Sequence, residues 1–262
     1  MALPPILYHV FKTPLPYRPT LALQTRIQDI QRSRRKGGLE YPDILLLLEH
    51  RPTYTGGRRQ NAQDLSAEEN RLKGLGAEWV PTYRGGETTF HGPGQVVGYP
   101  LLDLSRTKTH IATYIVSLEK LLQNHLAAHG LKHYESNNTG LFISPTEKLG
   151  SIGVHVRQRL TMHGFAFNVT DEPLSWFNQV VACGLADVKA TSLTKCLDTT
   201  KSKSLTMEGE MNRIPSEIGE VLERSTERLI ASVDPEIMQL IVEMEDAAEA
   251  SGPWPIAPSR FA

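Results

Sequence analysis

An α+β fold is the expectation for residues 1–197 of this chain, and three observations carry it. Short apolar runs bounded by proline recur, as in Asp43–Glu49 between Pro42 and Pro52; this is the signature of a buried strand. Other stretches repeat apolar residues at three- and four-residue spacing, as in Ile111, Ile115, Leu118 and Leu122, the signature of an amphipathic helix. The chain has 262 residues, 40% of them hydrophobic, enough for one sizeable core with an appended segment.

In order, Ile6–Phe11 has strand character, and Leu23, Ile27 and Ile30 recur at helical spacing until Gly37 and Gly38 stop the helix. Asp43–Glu49 is the second strand. His50–Arg59 reads as a loop rich in glycine and arginine. Glu78–Thr82 and Gln95–Leu102 read as strands flanking the run Arg84-Gly-Gly-Glu-Thr-Thr-Phe-His-Gly-Pro-Gly-Gln95. Glycine lets the chain bend sharply and pass close to a ligand, while proline stiffens it. Such a loop, with Arg84 and His91 at its polar ends, suits the wall of a substrate pocket. The helix from His110 ends at Gly130, and Leu141–Ser144, Lys148–Val156 and Met162–Val169 follow as three strands. Beyond Cys183 the pattern becomes irregular. Asp198–Leu205 is polar and linker-like; then Ile218, Val221, Leu222 and Leu229 fit one helix, and Ile237, Leu240, Ile241 and Met244 another. Residues 198–262 are therefore expected to be a linker and a helical C-terminal extension. No internal repeat is visible.

The net charge is -1, which disfavours a nucleic-acid binder. No apolar run approaches the ~20 residues that span a bilayer, so no membrane partner is expected. The two cysteines, Cys183 and Cys196, form no CxxC pair, and neither a zinc ribbon nor a disulfide framework is suggested. Without HExxH or a Cys/His cluster, no metal is expected. Met1–Thr20 has no long apolar core for a secretory signal. Lys12, Arg18 and Arg26 precede the first acid, Asp29, a bias shared with mitochondrial presequences, although Ile6–Phe11 reads as part of the fold.

The chemistry rests on few residues. Cys183 lies in Val180-Val-Ala-Cys-Gly-Leu185, where a turn could present its thiol; a lone cysteine is otherwise a small buried hydrophobe. A free thiol, with pKa about 8.5, is only a few per cent thiolate at pH 7, so a catalytic cysteine needs a cation or base beside it. Lys148, in Glu147-Lys-Leu-Gly-Ser-Ile-Gly153, is the candidate, set among small residues; the alternative is a strand-end lysine in water. An ammonium–thiolate pair at ~4 Å gains on the order of 4 kcal/mol at an effective dielectric of 20, enough to lower the thiol by a unit or two after desolvation. His91 and His163 each precede a glycine and are either functional or structural. No GxxxxGK[ST] exists, and Gly92, Gly94 and Gly98 miss the GxGxxG spacing by one. With no phosphate loop, no nucleotide cofactor is expected, and a group transfer would start from an activated donor such as a thioester.

These motifs, with His163-Gly-Phe-Ala-Phe-Asn168 and Ala182-Cys-Gly184, resemble the lipoyl(octanoyl) transferases in order and spacing over roughly residues 6–195. The resemblance implies a mixed β-sheet with flanking helices, related to the catalytic fold of lipoate and biotin protein ligases. It implies transfer of an octanoyl group from octanoyl-acyl carrier protein to a lysine on lipoyl domains of 2-oxoacid dehydrogenase complexes and the glycine cleavage H protein, without a cofactor. Cys183 would carry the acyl thioester, and Lys148 would lower its pKa. Arg84, Gly85, Gly86, Glu87, Thr88, Thr89, Phe90 and His91 would line the substrate pocket with Ser151, Ile152, Gly153, Gly164, Phe165 and Ala166. Arg58, Arg59, Arg157 and Arg159 are candidates for docking the acidic carrier. Such enzymes occur in mitochondria and in bacteria; the C-terminal extension favours the mitochondrion over a bacterial cytoplasm. The competing readings are an ATP-dependent ligase of the same fold and a non-catalytic carrier-binding module.

Overall fold

The computed structural model describes residues 3–58, 69–72, 74, 76–180 and 187–254. Strands are β1 (Ile6–Val10), β2 (Asp43–Leu48), β3 (Thr53–Gly56), β4 (Glu78–Pro81), β5 (Thr89–His91), β6 (Gln95–Leu101), β7 (Leu141–Ser144), β8 (Glu147–Arg157), β9 (Leu160–Asn168), β10 (Lys189–Ala190) and β11 (Thr226–Arg228). Helices are α1 (Tyr17–Lys36), α2 (Ile111–Ala128), α3 (Glu172–Phe177), α4 (Leu193–Cys196), α5 (Thr199–Ser202), α6 (Met207–Leu222) and α7 (Pro235–Ala250).

The main sheet is mixed, in the order β10-β8-β9-β6-β2-β1-β11, with β7 paired to β8. β2 explains its layering. Its sequence Asp-Ile-Leu-Leu-Leu-Leu is buried throughout, with no polar alternation, because helices cover both faces. Leu45 and Leu47 point into a core shared with α2 and α6, while Ile44, Leu46 and Leu48 point into one shared with α1 and α7. A one-residue period-two switch thus feeds two cores from one strand. A smaller sheet, β4-β3-β5, packs with α3 around Tyr54, Trp79, Phe90, Trp176 and Phe177.

The C-terminal segment is woven into these layers. Met211, Ile214 and Ile218 of α6 enter the same core as β2 and α2. β11 extends the sheet, pairing Thr226 with Ile6 in parallel. The break expected at residue 197 therefore does not coincide with a break in packing, and the expected linker, Asp198–Leu205, contains α5. One helix was expected to run from Ile218 through Leu229. Instead α6 ends at Glu223, whose backbone is left-handed (φ 52°), and Leu229 lies beyond β11 in the other core. The loop expected over residues 50–59 holds β3, whose four residues are all buried.

Candidate active site

The Arg84 run crosses the end of the main sheet and meets it directly. The Gly85 N–H donates to the Val154 carbonyl on β8 (3.0 Å). Gly57 allows the approach of β3 to this loop, since a Cβ there would lie 2.1 Å from the Gly86 carbonyl oxygen. Between the loop, β8 and β9 opens a narrow cleft whose enclosed volume is ≈ 40 Å³. Its walls include Arg84, Gly85, Gly86, Thr89 and His91 from the first motif, Ser151, Ile152 and Gly153 from β8, and Gly164, Phe165 and Ala166 from β9. Tyr17, Tyr99 and His163 complete it. Gly153 and Gly164 face each other in register across β8 and β9, which brings two motifs together at the floor.

Three residues expected on this wall are elsewhere. β5 is a strand, so its side chains alternate: Thr89 and His91 turn to the cleft and Phe90 turns away. Phe90 stacks on Trp176, with ring centroids 5.3 Å apart and planes 9° apart. Thr88 is buried but does not reach the cleft, and Glu87 contributes its carbonyl to the loop's own bonding, accepting from Arg84 Nη2 (2.8 Å). Within a run whose glycines suit a loop, the polar–apolar–polar alternation of Thr89–His91 is the sequence signal for this strand.

Arg84 is buried and serves the loop's architecture. Its Nη2 donates to the Thr55 carbonyl (2.7 Å) and hydroxyl (2.8 Å), and its Nη1 to the Gly85 carbonyl (3.0 Å). The guanidinium therefore clamps β3 to the motif while contributing positive potential to the cleft.

That potential acts on a set of buried rings. His163 is pushed down to about 3, first by burial and then by Arg84. His91 is held well below the ordinary imidazole value, again by burial first, with His50 and Arg84 adding to it. Burial pushes His50 down to about 4 and Tyr17 up to about 12. Taking out charge from water is costly, so these groups stay neutral. The His50 Nδ1 faces the Leu15 carbonyl (3.0 Å), which only accepts, so Nδ1 carries the proton. The neutral Nε2 then accepts from the Tyr99 hydroxyl (2.7 Å). His91 Nδ1 likewise donates to Gln95 Oε1 (2.8 Å), leaving its Nε2 as a lone pair. The Thr89 hydroxyl is buried without a hydrogen-bond partner. His163 has a left-handed backbone (φ 57°) inside β9, and its N–H donates to Gln24 Oε1 (2.9 Å) from α1. Strain of this kind persists where the surroundings fix it, and it sits on the cleft wall. Tyr17 and Tyr99 carried no motif in the sequence; their place in the cleft follows from α1 and β6 packing against β9.

Lys148 does not project into water from a strand end. It is 9% exposed, its Nζ donates to the Thr139 carbonyl (3.1 Å), and it lies over the Phe142 ring at 5.2 Å. It stands three residues before Ser151 on β8, and Ala190 of β10 pairs with it in register. Cys183 and Arg59 lie outside the described residues. Cys196 is half-buried, and burial pushes its thiol up. Among the proposed docking arginines, Arg58 and Arg157 are exposed beside His155 and depress its pKa after burial does. Arg159 instead donates to the Leu104 and Thr109 carbonyls and holds that loop.

Residues 16–218 match the family described as the lipoyl protein ligase A/B catalytic domain. The chain is 40% identical over 210 residues to an octanoyltransferase of Rubrobacter xylanophilus, covering 79% of this chain and 89% of that one. It is 40% identical over 177 residues to the mitochondrial octanoyl-acyl-carrier-protein:protein N-octanoyltransferase of Danio rerio, covering 68% and 77%. The fold is similar to that of a lipoate-protein ligase A crystallised with ATP, with a TM-score of 0.62 at 17% identity over 95% of this chain and 98% of that one.

Proposed function

Because this chain belongs to the lipoyl protein ligase A/B catalytic-domain family and is an octanoyltransferase of protein lipoylation, we propose that it moves the octanoyl group through a thioester on Cys183. The donor is octanoyl-acyl carrier protein and the acceptor a lysine of a lipoyl domain, whether of a 2-oxoacid dehydrogenase complex or of the glycine cleavage H protein. The Cys183 thiolate attacks the donor thioester carbonyl. The carrier thiolate leaves and takes a proton from Lys148. The acceptor ammonium gives one proton to Lys148, and its amine attacks the Cys183 thioester. The amide nitrogen loses its second proton to solvent as the Cys183 thiolate leaves. The cycle returns Lys148 and Cys183 to their starting charges and needs no ATP.

The observation that carries this reading is the convergence of three separated motifs on one cleft, with Lys148 buried three residues from Ser151 on the same strand. A wall of neutral rings and glycines suits an acyl chain and an uncharged thioester. The Gly153 amide and the Thr89 hydroxyl are candidate donors to the oxyanion. Arg58 and Arg157 would attract the acidic carrier.

The test is intact mass after incubation with octanoyl-carrier and no ATP. One octanoyl adduct is expected, lost in Cys183→Ser and kept in Cys196→Ser. Transfer that survives Cys183→Ser, or that requires ATP, would refute the thioester and favour the ligase reaction suggested by the shared fold. Binding of the carrier without any adduct would favour a non-catalytic module. Relatives of this chain include mitochondrial and bacterial enzymes. We infer mitochondrial residence from the C-terminal segment beyond residue 197; a tagged chain that stays out of mitochondria overturns it.

A further inference from the structure

On the sheet face opposite α1, helices α2 and α6 bring together four titratable side chains that the cleft does not use. His125 and His129 stand four residues apart on one side of α2 and its C-cap, so both rings face the same neighbour. That neighbour is Glu210 of α6. Its Oε2 lies 2.9 Å from His125 Nε2 and 2.8 Å from His129 Nε2. Glu217, two turns further along α6, places Oε2 2.7 Å from His125 Nδ1.

The protons decide what this arrangement is. A carboxylate only accepts, so His125 Nδ1 carries the hydrogen donated to Glu217. In the neutral ring, Nε2 is then a lone pair aimed at a carboxylate oxygen. Either a proton on Nε2 or a bound cation relieves that contact: against the effect of burial, Glu210 and Glu217 together raise the His125 pKa, yet Nε2 is buried and its approach to Glu210 is not aligned as a hydrogen bond. His129 Nε2 has a second neighbour, Arg213 Nη1 at 3.4 Å, whose N–H would also need a lone pair there. His129 Nε2 is hydrogen-bonded to Glu210 Oε2 (2.8 Å), while His125 Nε2 is aimed at the same oxygen without an aligned hydrogen bond; two imidazole nitrogens and a carboxylate oxygen that converge on one point make a ligand set for a cation.

We propose that His125, His129 and Glu210 form a zinc-class divalent metal site that staples α2 to α6. The three donor atoms lie within 4.8 Å of one another. Zinc at ~2.1 Å from each would hold them about 3.4 Å apart, so the pairs at 2.8 and 2.9 Å need to open by about half an ångström. Glu210 and His129 border an open cavity shared with Lys201 and Ser204, which gives the carboxylate room to move and leaves a fourth position for water. Glu217 supplies the outer carboxylate that orients a ligating histidine through its other nitrogen. Arg213 is drawn toward Glu217 (3.5 Å), so its charge is partly taken up there. The His125 ring packs on Phe167 of β9, with centroids 4.6 Å apart, just beyond the cleft-floor residues Gly164–Ala166. The staple would fix two helices to the strand beneath the cleft without touching substrate. The sequence search for HExxH and Cys/His clusters passed over it because Glu210 lies more than eighty residues after His125.

The experiment uses tag-free full-length protein, stripped with chelator, reloaded with zinc and desalted. Elemental analysis is expected to find about one zinc per chain, and the melting temperature to rise by several degrees on reloading. Cobalt should give the visible bands of a four-coordinate site. Glu210→Gln and His129→Gln should lose the metal and the shift; His129 lies at the helix end, so that variant is expected to fold. The double variant Cys183→Ser/Cys196→Ser should keep both. Zinc no higher in the parent than in Glu210→Gln, or zinc that disappears with the cysteines, overturns the site. It would leave the cluster as an imidazolium held between Glu210 and Glu217.

Discussion

Gly140 leaves the space in which the Lys148 side chain lies. A Cβ on Gly140 would sit 2.7 Å from Lys148 Cε and 2.6 Å from the Gly150 carbonyl oxygen, at a φ of +128° that side-chain-bearing residues avoid. The carbonyl belongs to β8 and cannot retreat, so an added methyl pushes the lysine or the turn. Gly140→Ala should therefore cost stability, by about 1–3 kcal/mol for the strained backbone. It should also slow octanoylation of Cys183 by an order of magnitude or more, as a displaced proton-transfer group would. Single-turnover acylation measured well below the variant's melting temperature separates the two effects. A wild-type acylation rate in Gly140→Ala would show that the lysine's position does not matter.

The neutral histidines of the cleft make stability depend on pH. His50 and His163 have folded-state pKa values near 4 and 3, below the ordinary 6.5, and His91 is lowered as well. Below pH 6.5 the unfolded chain binds protons that the folded chain refuses. Stability is thus fully present above 6.5 and falls as pH drops, by up to about 1.4 kcal/mol per histidine per pH unit, down to the folded values. Urea unfolding at pH 7.5 and 5.5 should show the loss. His163→Asn, which tolerates the left-handed backbone, should flatten the slope by one histidine's share. An unchanged slope in that variant would mean His163 titrates normally.

Much of this arrangement was legible in the sequence, and the gaps have physical causes. The apolar run of β2 and the Gly37 stop of α1 depend on local signals and form as expected, as does the helix α2; its buried face, however, runs through Tyr114, Leu118, Leu121 and Leu122, and Ile111 of the expected stripe is exposed. Arg84 was expected on a pocket wall from its motif chemistry, and Ser151–Gly153 and Gly164–Ala166 from the family resemblance; the structure brings all of them to the cleft. Phe90 turns from the cleft because Thr89–His91 is a strand paired with β3, a facing that the Thr-Phe-His alternation carries, whereas Glu87 and Thr88 lie in the preceding loop, whose course no local pattern announces. Tyr17 and Tyr99 were invisible as site residues because they belong to ordinary-looking elements and reach the cleft only in the folded chain. The end of α6 was missed because Glu223, rather than a glycine, takes the left-handed cap.

Arg224 makes the same point energetically. Its Nη1 lies 2.5 Å from Asp43 Oδ2, with the two side chains 3% and 0% exposed, and its Nε donates to the Pro4 carbonyl (3.2 Å). One side chain thus joins the start of β2, the entry to β1 and the segment after α6. Removing it leaves a buried carboxylate with the more distant Arg106 (3.6 Å) as its remaining cation and the Asp103 N–H on Oδ1 (2.8 Å). Arg224→Ala should lose about 3–5 kcal/mol, the usual cost of orphaning one partner of a buried pair. Asp43→Asn/Arg224→Met should recover part of that. A loss below about 1 kcal/mol in urea unfolding would mean that the C-terminal segment is only peripherally attached.

Gln95 fixes the tautomer of His91 and ties it to the far side of the site. His91 Nδ1 donates to Gln95 Oε1, Gln95 Nε2 donates to Asn168 Oδ1 (2.9 Å), and Asn168 Nδ2 donates to the Thr191 carbonyl (2.9 Å). The Thr191 N–H in turn donates to the Lys148 carbonyl (2.9 Å), so the chain of bonds runs from the ring to the backbone of the lysine. Gln95→Leu leaves His91 Nδ1–H and Asn168 Oδ1 unpaired in the interior, at about 1–3 kcal/mol each. With the ring free to switch tautomer, kcat should fall while KM for the carrier stays close to wild type. Gln95→Glu tests the electrostatics instead. A carboxylate at 2.8 Å from Nδ1 favours the imidazolium, reversing the depression of His91, so the activity–pH profile should shift where the parent's follows other groups. Histidine nitrogen shifts in labelled protein read the tautomer directly. If Nδ1 is unprotonated in the parent near pH 7, the relay runs the other way and the Gln95 amide donates to the ring.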